Sequence, residues 1–159
     1  MKTLDPGLTH EFSYRVPKEK TVPFVFQEAD LFQTMPPVFA TAFMVGLVEW
    51  ACMDALQNYL EPGEQTVGTA ISVSHTAATP VGFGVKVSLR VESVEGRRIR
   101  FQVRVEDDAE VIGEGTHERF VILRERFLGG LAKKAAQATS AAAPTASNGS
   151  KGRRPDSPA

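Results

Sequence analysis

The sequence predicts an α+β domain in which one long helix lies against an antiparallel sheet. Residues 40–60 carry the only long helical pattern, and its first half is apolar nearly all round. Behind it comes a run of strand patterns that alternate apolar and polar residues and are joined by short turns, as a strand meander requires. The chain has 159 residues, 42% of them hydrophobic and 23% charged, which suffices for one domain with a real core and little more.

Taken in order, Glu11-Phe12-Ser13-Tyr14-Arg15-Val16 is a short strand at an edge. In the helix, Phe43, Leu47, Ala51, Ala55 and Tyr59 recur near helical spacing, and Pro62-Gly63 stops it. Only its second half, with Asp54, Gln57 and Asn58, presents a solvent face. The apolar stretch from Phe39 to Met53 is broken by Thr41 and Glu49 and falls short of the roughly 20 residues that cross a bilayer, so it reads as a core helix with no membrane role. Val67, Thr69, Ile71, Val73 and His75 then share one strand face, and Val85, Val87, Leu89 and Val91 share the next. Glu95-Gly96 is a hairpin turn leading to Ile99, Phe101, Val103 and Val105, and a last strand follows over 111–123. So thin a sheet hardly covers an all-round apolar helix, which predicts a symmetric homodimer with an extended sheet.

From Gly129 onward the chain has no aromatic residue and no aliphatic after Leu131, so residues 1–128 form the domain and residues 129–159 a disordered Ala/Ser/Pro/Gly/Lys-rich tail, with 131–138 marginally helical at most. Residues 1–128 hold thirteen Lys/Arg against eighteen Asp/Glu, and the tail holds five against one. An acidic body lacks the clustered cations of a nucleic-acid groove. Cys52 stands alone between Ala51 and Met53, a packed thiol suited to a reducing compartment, and the N-terminus has no export-signal layout, so the expected location is the cytoplasm. His10, His75 and His117 lie too far apart for a zinc spacing, and Gly82-Phe83-Gly84 opens a strand rather than a phosphate-binding helix, so neither a metal nor a bound cofactor is expected.

Three polar residues interrupt apolar surroundings. Glu49 has Val45, Gly46, Cys52 and Met53 as its helical neighbours, none able to compensate a charge, so a group outside the helix must answer it. That group is either a structural partner, such as a sheet arginine, or part of a site in which desolvation tunes the carboxyl for general-base or nucleophilic work. His75 shares its strand face with Val67, Ile71 and Val73 and so points at the helix, with Glu49 a candidate partner. Thr41 opens the helix, where a threonine serves as N-cap or presents its hydroxyl to a carbonyl over the helix N-terminus. His117, inside Gly115-Thr116-His117-Glu118-Arg119, reads as a structural strand histidine.

The stretch Val38-Phe39-Ala40-Thr41-Ala42-Phe43-Met44-Val45-Gly46-Leu47-Val48-Glu49-Trp50-Ala51-Cys52 resembles the central helix of the fluoroacetyl-CoA thioesterases, a hot-dog-fold family. Gly68-Thr69-Ala70-Ile71, His75-Thr76-Ala77-Ala78-Thr79-Pro80, Ser93 to Arg98 and Gly115 to Arg119 are similar too, so the resemblance runs from Phe12 to Phe127. It implies a homodimer with its two helices inside a continuous sheet and acyl-CoA bound at the interface. The family's catalytic threonine, glutamate and histidine fall on Thr41, Glu49 and His75, its site-lining glycine on Gly68, and an arginine of the last strand on Arg119. Of the two phenylalanines that shape the family's gate, one is Phe32 and the other position holds Met35, a flexible filler, with Phe39 a further candidate substrate contact.

The resemblance implies hydrolysis of a short acyl-CoA, possibly fluoroacetyl-CoA, with CoA part of the substrate. Two rivals stand beside it: a hydratase or dehydratase using Glu49 and His75 as acid and base, and a non-catalytic acyl-CoA-binding module. Release of free CoA separates the thioesterase from the hydratase, and binding without turnover would favour the module.

Overall fold

Alternation decides the core. In β3 (Gly84–Glu95) and β4 (Arg98–Asp107), Val85, Val87, Leu89 and Val91 face Ile99, Phe101, Val103 and Val105 on one buried side, with charged and polar side chains on the other. The computed structural model describes residues 1–141. It divides into one unit over Met1–Arg124 and a second beginning at Glu125.

In the first unit β1 (Thr9–Arg15), β3, β4, β5 (Val111–Leu123) and β2 (Glu64–Val73) make a five-stranded sheet in the order β1-β3-β4-β5-β2, every neighbouring pair antiparallel. A four-residue helix, α1 (Asp30–Gln33), precedes the long α2 (Thr41–Leu56), and a 3₁₀ turn over Gln57–Tyr59 ends it. Met44, Leu47, Val48, Ala51, Cys52, Ala55 and Leu56 form the face of α2 that is buried with the sheet core. The α+β antiparallel class is as expected, with each strand within two or three residues of its sequence pattern, the usual uncertainty of element ends.

Two features set up the site. β2 is an edge strand, so one side of its backbone has no partner strand among the described residues. On α2 the stripe Ala42, Gly46, Trp50 and Met53 is exposed, although the sequence there is as apolar as the buried stripe. One sheet layer covers only half of this helix.

The expected tail boundary is corrected. Arg124–Ala141 is a helix, α3, so residues 129–141 are not the start of a structureless segment. Ala, Leu, Lys and Gln are the strongest helix formers and outweigh Gly129-Gly130, each of which costs about 1 kcal/mol relative to Ala. The disorder expected of residues 142–159 lies outside the described residues.

Candidate functional site

The N-terminus of α2 is prepared by the preceding chain. Ala40, not Thr41, is the N-cap, and it makes no side-chain cap bond; the first helix amides are therefore left without an internal acceptor. Thr41 is the first helical residue, and its hydroxyl, free of capping duty, lies 2.8 Å from His75 Nδ1. The expectation of a threonine cap is replaced by a threonine–histidine pair at the positive end of the helix dipole.

His75 lies two residues beyond the end of β2, in a loop rather than on the strand. The neighbouring residues hold it in place. Ser74 N donates to Glu114 O and Thr76 N to Ile112 O, so β5 grips the loop on either side of the histidine. Gly113 and Gly115 permit this approach, since a Cβ at Gly113 would collide with Ser74 O and one at Gly115 with Ser72 O. Burial depresses the His75 pKa below its usual 6.5, against a raising contribution from the Ala77 backbone, so the imidazole is neutral at neutral pH. Its Nε2 is buried and has no hydrogen-bond partner among the described residues. Val22, Val38, Phe39, Thr41, His75 and Thr76 are among the lining of a cavity of about 240 Å³. Two larger clefts, of about 650 and 810 Å³, are lined by no residue of α2.

Glu49 sits elsewhere. Eight residues further along α2, about 12 Å at roughly 1.5 Å per residue, its carboxylate meets Arg119 Nη1 at 3.8 Å and His117 Nε2 at 4.0 Å. Its expected pairing with His75 is not made within the chain, and its side chain is 44% exposed. Arg119, by contrast, is 3% exposed and held by Thr66, through Nε to Oγ1 and Nη2 to the carbonyl, both at 2.9 Å. Its Nη1 lies 3.1 Å from His117 Nε2. A guanidinium only donates, so Nε2 accepts and Nδ1 carries the proton, which it gives to Ala70 O at 2.9 Å. Burial, aided by Arg119, lowers the His117 pKa against the raising effect of Ala70 and keeps this tautomer neutral. His117 is thus a buried wedge that aims Arg119 at Glu49, in line with its structural reading.

Gly68 completes the cluster at a bulge between Gly68 and Ala70 of β2. A Cβ there would lie 2.5 Å from Glu49 Oε1 and 3.2 Å from His117 Cε1, so only glycine leaves room for the carboxylate. Cys52, buried beneath, has its thiol pushed up to about 12 by burial and is inert.

The expected gate residues, Phe32 and Met35, are joined by a backbone bond from Met35 N to Phe32 O at 3.2 Å but differ in exposure. Phe32, half-buried in α1, packs edge-on against Phe26 at 5.3 Å, while Met35 is 50% exposed. Phe39 is 1% exposed: its ring belongs to the core, where it walls the His75 cavity and a neighbouring apolar groove. Sequence reasoning passed over Thr79 and Asp107, whose contacts only the folded chain brings together. Among the described residues no group of three or more His, Cys, Asp or Glu could hold a metal, and no helix is long and apolar enough to cross a membrane.

The family described as fluoroacetyl-CoA-specific thioesterase matches residues 16–125. A fluoroacetyl-CoA thioesterase from Streptantibioticus cattleyicolor is 54% identical over 119 residues, covering 75% of this chain and 84% of that protein. A phenylalanine-to-alanine variant of the fluoroacetyl-CoA-specific thioesterase, solved in complex with fluoroacetate and CoA, is 50% identical with a TM-score of 0.77, over 78% of this chain and 99% of that one. A hot-dog-like protein from Thermanaerovibrio acidaminovorans, 19% identical over 81% of this chain and 91% of its own, with a TM-score of 0.69, shares the fold.

Proposed function

The chain belongs to the fluoroacetyl-CoA-specific thioesterase family, and from that premise we propose that it hydrolyses a short acyl-CoA, fluoroacetyl-CoA among its substrates, to the free acid and CoA. Water adds to the thioester carbonyl, the carbon–sulfur bond breaks, and the CoA thiol and a carboxylic acid leave. A thiolate departs readily, so catalysis asks mainly for a polarised carbonyl and an activated oxygen nucleophile.

The observation that carries this reading is the Thr41–His75 hydrogen bond of 2.8 Å at the amide-rich start of α2. With the hydroxyl donating to a neutral Nδ1, Thr41 is poised to bind or attack the carbonyl, and the helix N-terminus favours the negative charge that develops on it. His75 moves the proton, and Glu49 acts as nucleophile or general base.

Glu49 reaches that pair from a second copy of the chain. Val45 lies midway between Thr41 and Glu49, and at the adjacent Gly46 a Cβ would meet nothing within 4 Å. A two-fold axis near these residues sets two α2 helices antiparallel, so Glu49 of the partner subunit faces Thr41 and His75, and the reverse. The same operation covers the exposed Ala42–Gly46–Met53 stripe and gives the open edge of β2 a strand to pair with. The enzyme is therefore a homodimer with two composite sites, working in the cytoplasm without a cofactor beyond the CoA of its substrate. The test is thiol release from fluoroacetyl-, acetyl- and propionyl-CoA; acyl-CoA binding with no release of CoA contradicts the proposal.

A further inference from the structure

The contact between Thr41 and His75 joins two segments that the sheet alone does not hold together. One is the strand-like stretch before α2, the other the loop from Ser74 to Pro80. Both meet at Thr79. Thr79 is fully buried; its carbonyl accepts the amide of Phe39 at 2.9 Å, two residues before Thr41, and its hydroxyl lies 2.8 Å from Asp107 Oδ2. Val38 and Pro80 pair beside it.

Asp107, at the end of β4, is itself fixed. Its other oxygen, Oδ1, accepts the amides of Ala109 at 2.9 Å and Glu110 at 3.0 Å, which closes the turn into β5. Burial raises the Asp107 pKa, but those amides and the Thr79 hydroxyl outweigh it and keep the group a carboxylate. A charged acceptor held by its own turn is a rigid peg for a buried hydroxyl.

We propose that Thr79 and Asp107 are positioning residues for the Thr41–His75 pair: Asp107 anchors the Thr79 side chain while the Thr79 carbonyl anchors Phe39, and the two bonds together set the distance between the catalytic hydroxyl and the imidazole. The loop then has fixed points on both sides of His75, with Ser74 and Thr76 on β5 and Thr79 on the β4–β5 turn. The Thr79 node ties the loop to the segment that leads into Thr41, which the β5 contacts do not reach. The role rests on the reading of Thr41 and His75 as the reacting pair.

The experiment compares Thr79→Val, Thr79→Ser and Asp107→Asn with the parent protein, reading kcat, KM and the titration of His75 by NMR. Valine keeps the volume of threonine and removes only the hydroxyl. Asparagine keeps an oxygen for the Ala109 and Glu110 amides but sets an NH₂ group where the Thr79 hydroxyl needs an acceptor. Thr79→Val and Asp107→Asn are expected to lower kcat by roughly tenfold with little change in KM, and to move the His75 midpoint up toward 6.5 as the loosened loop lets water reach the ring. Thr79→Ser should restore both. If Thr79→Val does not fold, Asp107→Asn decides. Variants that lose thermal stability alone, with kcat within about twofold of the parent and the His75 titration unmoved, overturn the proposal. The titration needs no turnover, so a parent protein that releases no CoA would sink the thioesterase reading while the NMR result still stands.

Discussion

The start and the middle of α2 are built differently. At its start, Thr41 and His75 form a pair complete within one protomer, bonded at 2.8 Å and braced by loop contacts to β5 and the β4–β5 turn. Two turns on, Glu49 belongs to a charge cluster whose buried members, Arg119 and His117, are fully bonded while the glutamate itself is 44% exposed. A carboxylate aimed outward by a buried arginine, over an edge strand and beside an uncovered helix stripe, is what the proposed composite site requires of one subunit. The difference teaches that a helix apolar on all sides need not be covered on all sides by its own sheet; the proposed dimer would supply the second cover.

Substitutions can break each half. Thr41→Ala, Glu49→Gln and His75→Ala should each lower kcat by at least about tenfold with the far-UV circular dichroism unchanged, because each group acts in the transition state. Three variants with near-normal turnover would dissolve the comparison. Gly68→Ala is the sharper probe of the Glu49 half: the added Cβ would sit 2.5 Å from Oε1 and push the carboxylate aside, so kcat should fall by roughly tenfold while the Thr41–His75 half stays intact. Acidification probes the other half. Neutral His75 is the working form and its pKa is lowered, so kcat should hold through neutrality and fall only as pH drops through a midpoint below 6.5; a midpoint above 6.5 contradicts the buried, neutral imidazole.

Smaller effects bear on the gate and the tail. Met35 is half exposed and flexible where an aromatic would be stiff, so Met35→Phe should raise the preference for fluoroacetyl- over acetyl-CoA, by a few-fold at most, read as the ratio of kcat/KM values. Deleting residues 130–159, which begin beyond the family match and belong to the second unit, should leave turnover and assembly unchanged.

Much of this was legible in the sequence. Period-two alternation in residues 85–91 and 99–105 reports a sheet with one buried face, and that pattern is local. The polar interruptions at Thr41, Glu49 and His75 were visible for the same reason: each breaks a periodic apolar context. What linked them was not visible. His75 continues the strand alternation in sequence, yet β2 ends at Val73, because the loop is pulled onto β5 by Ser74 and Thr76, through bonds between residues 40 and 36 apart. Glu49 needed a partner, and the sequence offered a sheet arginine or His75 without deciding between them; within one chain the fold sets Arg119 and His117 of the last strand beside it. The Thr79–Asp107 bond left no signal at all, since a threonine in a loop and an aspartate in a turn are ordinary residues until folding sets them 2.8 Å apart.

The central claim, that each site takes Thr41 and His75 from one protomer and Glu49 from the other, is tested most directly by subunit mixing. Thr41→Ala and Glu49→Gln dimers, each inactive alone, are dissociated, mixed in equal amounts and reassociated. Composite sites predict that half of the dimers are mixed and that each carries one intact site, so turnover should recover to about a quarter of the parent value per site. Sites contained within single protomers would leave every site with one defect, and the mixture as inactive as its components.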